Sequence, residues 1–251
     1  MRNGFSIYDT HTHIGEARHS GRADSADALL RNMDRAGVDR SLVIPYPVVD
    51  DYRAAHDLIG RAVERHPDRL AGAACPPVFI PEREYRDEVA RCAGQYGFRA
   101  LKLQPQYQAL NPLSSRSDFV FETALAHRLT LICHTGAGIP YALPSLFMMP
   151  ARKLPELNIV LAHAGGGIFT GEAIVAATFC PNIYLELSSL MPHHVASVLA
   201  HVAASRLMIG SDLPENLDIE IGKILALDIP DEARAEILWR TPRRLFDGVE
   251  G

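Results

Sequence analysis

The most constraining feature of this 251-residue sequence is a repeated alternation of short apolar runs with helical patterns. Each run is rich in branched and aliphatic residues, which is typical of a buried parallel strand. The predicted strands cover residues 5–13, 41–44, 70–74, 99–103, 129–134, 159–163, 183–187 and 207–210. Eight strand–helix units in a chain of about 250 residues predict an α/β protein with the (β/α)8 TIM barrel fold. A doubly wound open sheet is the alternative.

Length and composition predict one domain over residues 1–251, because a hydrophobic content of 47% can build one substantial core. The formal charge of -5 and the pI near 6.1 offer no basic surface for nucleic acid, so the expected partner is a small-molecule substrate. No apolar segment is long enough for a membrane span or a signal core, which predicts no membrane partner and a cytoplasmic location. The four cysteines are widely spaced and are interpreted as reduced core thiols.

The first predicted helix carries clear signals at both ends. Asp24 and Ser25 are candidate caps, Leu29 and Met33 follow at helical spacing, and Gly37 supplies a stop. This pattern predicts an amphipathic helix packed on the sheet.

Two histidines close the first predicted strand. Side chains alternate along a strand, so His11 and His13 point to one face and Asp9 shares that face. Two neighbouring imidazoles indicate a metal site. The alternative is a coincidence of strand geometry, because any two histidines spaced two apart share a face and most such pairs bind nothing.

Three later predicted strands also end in residues that can bind a metal, namely His134, His163 and Asp212. In a (β/α)8 barrel the carboxyl ends of the strands converge on the face that carries active sites. Closure of a barrel makes the first and eighth strands neighbours, so Asp212 can meet His11 and His13. An open sheet would not gather the ends of strands one, five, six and eight. The pattern therefore favours the barrel and predicts a divalent metal site at its mouth.

Lysine is rare in this sequence: Lys102 is one of three lysines among the 25 lysine and arginine residues. It lies in the fourth predicted strand, and if its side chain faces the barrel interior, Gln104 does so too, nearer the mouth. Both residues are therefore candidate substrate contacts. The remaining histidines are interpreted as structural or solvated, namely His19, His56, His66, His127, His193, His194 and His201.

Together these residues resemble the amidohydrolase superfamily, and within it the amidohydrolase-2 group that includes aminocarboxymuconate semialdehyde decarboxylase-like enzymes. The resemblance spans the full chain. Its carriers stand at four strand ends: Asp9-Thr10-His11-Thr12-His13, His134-Thr135-Gly136, His163-Ala164-Gly165-Gly166 and Gly210-Ser211-Asp212-Leu213-Pro214.

The resemblance implies a barrel of the metallo-dependent hydrolase type that holds one divalent ion, usually zinc, on His11, His13, His134 and Asp212. Three imidazoles and a carboxylate suit a borderline cation, and a water would complete the site. His163 and Asp212 are implied as the catalytic groups. His163 would act as general acid or base or polarise the substrate, and Asp212 would accept the proton of the water.

The resemblance leaves the role of Lys102 open. Two-metal members of the superfamily carry a carboxylated lysine at this position, where it bridges the ions. In one-metal members the lysine is a buried charge partner or a substrate contact. An inert, packed lysine is the third alternative.

The implied activity is hydrolysis of an amide, lactone or ester in a small molecule by water activated on a zinc-type ion. The alternative is nonoxidative decarboxylation of a small unsaturated or aromatic acid on the same scaffold. A noncatalytic metal-binding protein is a third hypothesis. The resemblance also implies a homodimer.

Overall fold

The computed structural model describes residues 1–249, and its centre is one sheet of eight parallel strands. The strands follow one another around the sheet in chain order: β1 (Tyr8–His13), β2 (Arg40–Ile44), β3 (Leu70–Ala74), β4 (Ala100–Leu103), β5 (Thr130–His134), β6 (Ile159–Ala162), β7 (Ile183–Glu186) and β8 (Leu207–Met208). Glu250 and Gly251, the last two residues of the predicted domain of residues 1–251, lie outside the described residues.

The sheet closes between its first and last strands. The backbone N–H and the hydroxyl of Thr10 both donate to the carbonyl of Ile209, at 3.0 and 2.6 Å. Nearer the mouth, the N–H of Asp212 donates to the carbonyl of His11 at 2.8 Å. These bonds join β1 to the segment that follows β8. The (β/α)8 barrel is therefore confirmed, and the doubly wound open sheet is excluded.

Helices connect the strands. Those that follow β1 to β8 are α1 (Ala26–Ala36), α2 (Tyr52–Arg65), α3 (Glu82–Gln95), α4 (Asp118–Ala126), α5 (Met148–Lys153), α6 (Thr170–Phe179), α7 (Pro192–Leu199) and α8 (Leu217–Ala226). The chain then continues through α9 (Asp231–Ala235), a π-helical segment (Glu236–Arg240) and α10 (Thr241–Asp247). Shorter elements lie in the connections: an antiparallel ribbon (Gly15–Glu16 with Ala23–Asp24), a one-turn helix (Pro105–Gln108), and 3-10 turns at Ser115–Ser117, Pro144–Phe147, His163–Gly165, Ala204–Arg206 and Pro214–Asn216.

The ends of α1 match their sequence signals. Ser25 has an extended backbone, and its hydroxyl accepts a hydrogen bond from the N–H of Ala28. Gly37 ends the helix at a φ of +75°, a left-handed conformation that glycine adopts without strain. Leu29 and Met33 are buried. Local capping therefore fixes both ends of the helix that follows the first strand.

Several strands end earlier than predicted. β6 stops at Ala162 because His163 has a φ of +67°, which is incompatible with a strand. β8 consists of Leu207–Met208, although the prediction extended it to residue 210. The segment after β8 turns to bond with β1 through Ile209. As a result, His163 and Asp212 lie just beyond their strands, in the turns at the mouth.

Two apolar clusters hold the barrel together. Alternate residues of each strand face opposite sides, so Val43 and Leu131 join helix residues in the outer cluster. Leu42 and Ile132 belong to the second cluster, which fills the barrel interior together with Phe246 of α10. The interior is therefore packed with apolar side chains below the mouth.

All four cysteines are buried, free thiols, which matches the predicted core thiols. Within residues 1–249, no helix combines the length and the apolar character needed to cross a membrane.

Candidate metal centre

Three of the predicted metal ligands meet at the mouth of the barrel. His11 and His13 lie at the end of β1, and Asp212 follows β8. The Nε2 atom of each histidine lies 3.5 Å from Oδ1 of Asp212. Closure of the barrel therefore brings the carboxylate to both imidazoles, as the order of the strands predicted.

The hydrogen bonds of the two imidazoles fix their tautomers. Nδ1 of His13 lies 2.9 Å from the carbonyl oxygen of Ile44, and Nδ1 of His11 lies 3.2 Å from Oε2 of Glu186. A carbonyl and a carboxylate accept hydrogen bonds, so both Nδ1 atoms carry the proton. The lone pairs of both Nε2 atoms are then left facing Asp212. Buried acceptors of this kind commonly orient metal-binding histidines.

A divalent ion fits among these three donors. Zinc binds imidazole nitrogen and carboxylate oxygen at about 2.0–2.2 Å in tetrahedral sites, which places neighbouring ligand atoms about 3.4 Å apart. The observed spacings of 3.5 Å agree with that value. Burial, followed by the charge of Lys102, holds the pKa of His11 well below its usual value, which keeps the imidazole neutral as a ligand requires.

Asp212 supplies the carboxylate of this group of three residues. The residue has a left-handed backbone with a φ of +60°, which aspartate tolerates better than most residues. Asp212 thus combines a carboxylate with a turn that faces the two histidines.

His163 lies beside His11, His13 and Asp212, the three possible metal ligands that form the donor group. Its ring stacks on that of His11 with a centroid distance of 5.0 Å, and its Nδ1 donates to Oγ of Ser188 at 2.7 Å. Burial, and then the neighbouring His11, lower the pKa of His163 to about 3. His163 is therefore a neutral imidazole whose Nε2 carries a lone pair.

His134 has a different orientation from the other predicted ligands. Its Nε2 lies 2.8 Å from the carbonyl oxygen of Ala137 and donates to it. Its ring remains close to His163, with a centroid distance of 4.9 Å. Burial, followed by the charge of Lys102, lowers the pKa of His134 to about 4. His134 lines the same cavity but stands outside the group formed by His11, His13 and Asp212.

Lys102 and Gln104 both face the barrel mouth, as their alternation in β4 predicted. The Lys102 side chain is buried, and its Nζ lies 3.0 Å from Nε2 of His11. Burial lowers the pKa of Lys102, while Asp212 opposes that effect. Gln104 is also buried, and its backbone N–H donates to Oε1 of Gln108. The amine of Lys102 therefore contacts the same nitrogen that faces Asp212.

A cavity of about 250 Å³ opens above the donor group. Its walls include five residues that were not predicted to be part of the site, namely His19, Arg22, Tyr46, Gln106 and Tyr107. Tyr46 stacks on His13 at 4.7 Å, and His19 lies 5.3 Å from the Tyr107 ring. Arg22 pairs with Glu215 in the turn after β8. Loops after several strands thus form the cavity, whose size suits a small molecule.

Of the histidines interpreted as structural, His56 is the most connected. Its Nε2 accepts from the N–H of Cys75 at 2.8 Å, and its Nδ1 donates to Glu88 at 2.7 Å. Both ring nitrogens are therefore occupied by the protein itself. His193 and His194 lie in the first turn of α7.

Histidine and aspartate side chains grouped at the strand ends of a (β/α)8 barrel are typical of metal-dependent barrel enzymes. The Amidohydro_2 family profile, described as amidohydrolase, matches residues 8–248. The chain belongs to this amidohydrolase-2 family, so it is a metal-dependent enzyme of that family.

Several solved structures share this fold. The 5-carboxyvanillate decarboxylase of Sphingomonas paucimobilis is 17% identical with a TM-score of 0.75, over 97% of this chain and 99% of that chain. The enzyme of the same name from Novosphingobium aromaticivorans, in complex with manganese and 4-hydroxy-3-methoxy-5-nitrobenzoic acid, is 15% identical with a TM-score of 0.80, over 97% of this chain and 96% of that chain. The 4-oxalomesaconate hydratase of Rhodopseudomonas palustris is 16% identical with a TM-score of 0.72, over 96% of this chain and 95% of that chain. At these identities the likeness is one of fold. No curated protein sequence matches the chain significantly.

Proposed function

We propose that this protein holds one divalent ion, zinc in the first instance, and uses it to hydrolyse an amide, lactone or ester of a small molecule. The observation that carries the proposal is the pair of Nε2 lone pairs of His11 and His13, each 3.5 Å from the carboxylate of Asp212. His134 is the fourth proposed ligand. Its Nε2 would have to leave the Ala137 carbonyl to reach the ion.

The side chains at the mouth supply the remaining parts of a hydrolytic site. A bound divalent ion supplies Lewis-acid polarisation of water or of a carbonyl group. Asp212 places a carboxylate beside the imidazoles, and this carboxylate is the proposed acceptor of the proton of the water. His163 is a neutral base that is held in one tautomer by Ser188. Lys102 of β4 and Gln104, the first residue after β4, line the cavity. Both can bind a polar or negative group of the substrate.

Nonoxidative decarboxylation is the second candidate function. Two of the three solved structures named above are decarboxylases, and one of these two is in complex with manganese and a nitrobenzoic acid. The cationic Lys102 and Arg22 border the cavity and suit a carboxylate substrate. When CO2 leaves, the carbon that retains the electron pair takes up a proton. Solvent would first have to supply that proton to His163 or Asp212, because neither carries one on the atom that faces the cavity. Manganese is the alternative to zinc as the bound ion.

Metal analysis tests the proposed centre directly. Protein purified without chelators should contain one divalent ion per chain, and His11→Ala and Asp212→Ala should each lose it. His193→Ala is the matched control, because this histidine is exposed on α7 and should leave metal content unchanged. An unmodified protein that takes up no zinc or manganese would overturn the proposal.

A substrate panel separates the two reactions. Amides, lactones and esters are assayed for hydrolysis, and aromatic or unsaturated carboxylic acids are assayed for release of CO2. Asp212→Asn is expected to abolish whichever activity is found. Turnover of the acids alone would establish the decarboxylase and exclude the hydrolase. Metal binding without turnover of any compound would favour the noncatalytic metal-binding hypothesis.

A further inference from the structure

Glu186, at the end of β7, is a fully surrounded carboxylate behind the donor group. Its Oε2 lies 3.2 Å from Nδ1 of His11, 3.2 Å from the backbone N of His163 and 2.8 Å from Oγ of Ser188. Its Oε1 accepts from the backbone N–H of Ser188 at 2.6 Å. Four donors therefore bond this carboxylate, three to Oε2 and one to Oε1. The negative charge of Glu186 is therefore satisfied by hydrogen bonds from the protein itself, two of them from His11 and His163.

The hydrogen bonds around Glu186 have one consistent direction. The Ser188 hydroxyl has a single hydrogen, which it donates to Glu186, so it must accept from Nδ1–H of His163. On the other side, Nδ1–H of His11 donates to the same carboxylate oxygen. Glu186 thus fixes the tautomer of His11 directly. It fixes the tautomer of His163 through the hydroxyl of Ser188.

Gly210 provides the space that this arrangement needs. A Cβ atom at this position would lie 2.5 Å from Cβ of His11 and 2.9 Å from Oε1 of Glu186. Cβ of His11 is fixed to the β1 backbone and cannot move aside. The close packing of His11 against Glu186 therefore depends on the absence of a side chain at residue 210.

We propose that Glu186 is the positioning residue that presets His11 and His163 together, so that both imidazoles present an Nε2 lone pair to the cavity. Metal binding by His11 and proton transfer by His163 rest on the proposed function, whereas the tautomers of the two histidines do not. Ser188 transmits the effect to His163 alone. Loss of Glu186 should therefore disturb both histidines, and loss of the Ser188 hydroxyl should disturb one.

The test compares Glu186→Gln and Ser188→Ala with the unmodified protein by two measurements. The first is two-bond 15N–1H NMR of the histidine side chains in metal-free protein, which distinguishes protonated from unprotonated ring nitrogens. The second is zinc affinity by competition with a chelator. Glu88→Gln is the matched control, because Glu88 is a buried carboxylate that holds Nδ1 of His56 away from the donor group.

Glu186→Gln should convert His11 and His163 from a single tautomer to a mixture and weaken zinc binding by about 10- to 100-fold. Ser188→Ala should mix the tautomers of His163 while zinc affinity stays within about threefold, because His163 is outside the donor group. The control should leave the tautomers of His11 and His163 and the zinc affinity unchanged. If His11 in Glu186→Gln keeps its Nδ1–H tautomer and its zinc affinity, the inference is wrong.

Failure of the positioning role can be distinguished from failure of the proposed function. If the unmodified protein binds no zinc but shows single tautomers that Glu186→Gln abolishes, the proposed function fails and the positioning role stands. If Glu186→Gln does not fold, the Ser188→Ala variant tests the inference. An unchanged His163 tautomer in Ser188→Ala would show that Glu186 does not position His163 through Ser188.

Discussion

Asp9 and Ser211 are joined by two hydrogen bonds across the line where the barrel closes. Oδ1 of Asp9 accepts from the backbone N–H of Ser211 at 2.8 Å, and Oδ2 accepts from its hydroxyl at 2.6 Å. Asp212 is the next residue and adopts a left-handed backbone opposite His11. The Asp9 carboxylate therefore anchors the turn that carries the proposed ligand from β8.

Replacing Asp9 with asparagine should weaken both the fold and the metal site. An amide offers one acceptor oxygen where two are used, so one donor of Ser211 loses its partner. We expect the free energy of unfolding to fall by about 1–3 kcal/mol, measured by urea unfolding. Zinc affinity, measured by chelator competition, should fall as well because the Asp212 turn is less firmly held.

Asp39→Asn is the control for Asp9→Asn. Oδ2 of Asp39 accepts from the N–H of Ile7 at 2.9 Å, just before the start of β1 and far from the mouth. This variant should lower stability without changing zinc affinity. Equal losses of zinc affinity in both variants would show that the Asp9 effect reflects stability rather than position.

Lys102→Met should bind zinc more tightly than the unmodified protein. The ammonium group lies 3.0 Å from Nε2 of His11, so it competes with and repels a cation at that nitrogen. Removing the charge should raise zinc affinity on the order of tenfold, since even 1.4 kcal/mol of repulsion produces that factor. Chelator competition measures the change, and the zinc content should remain one ion per chain.

Lys223→Met is the control, because Lys223 is also buried but donates to the carbonyls of Leu187 and Leu190. Its zinc affinity should equal that of the unmodified protein. Two ions in the unmodified protein and one in Lys102→Met would instead support a carboxylated, bridging lysine.

The position of the site could be predicted from the sequence because strand ends converge in a barrel. His11, His13 and Asp212 each stand at such an end, and barrel closure brings them together whatever the loops do. The inward direction of Lys102 and Gln104 follows in the same way from strand alternation. These features depend on the backbone pattern, which hydrophobic periodicity reveals.

Other features of the site could not be predicted because they depend on contacts between distant loops. Asp9 meets Ser211 across 202 positions in the chain, and no local pattern marks that pair. The orientation of His134 depends on a turn that brings the Ala137 carbonyl to its ring. Tyr46 and Arg22 line the cavity from loops whose conformation is set by their neighbours.

Gly210→Ala should destabilise the protein, because its Cβ would overlap His11 and Glu186. Overpacking of this kind costs about 1–3 kcal/mol, which thermal unfolding can measure. Gly222→Ala provides a contrast, since Gly222 lies within α8 and no atom stands within 4 Å of its added Cβ. That variant should be stabilised by about 0.5–1 kcal/mol. A loss of stability in Gly222→Ala equal to that in Gly210→Ala would contradict the steric argument.

Acid should weaken the fold through Glu88, which joins α3 to α2. Its Oε1 accepts from His56 at 2.7 Å, and its two oxygens accept from Arg91 at 2.7 and 2.9 Å. Burial raises the pKa of Glu88, but the bonds to His56 and Arg91 outweigh burial and lower that pKa from 4.5 to about 2. The folded state therefore favours the ionised carboxylate.

The sign of the pH effect follows from this depressed pKa. Between about pH 4.5 and pH 2 the unfolded chain binds a proton at Glu88 that the folded chain does not, so stability falls as the pH falls through this range. Above pH 5 the contribution is complete and on the order of 3 kcal/mol. Glu88→Gln cannot ionise, so the difference in unfolding free energy between it and the unmodified protein should be constant above pH 5 and shrink toward pH 2. Urea unfolding across this range measures the difference, and a gap that stays constant down to pH 2 would show that the charge of Glu88 does not stabilise the fold.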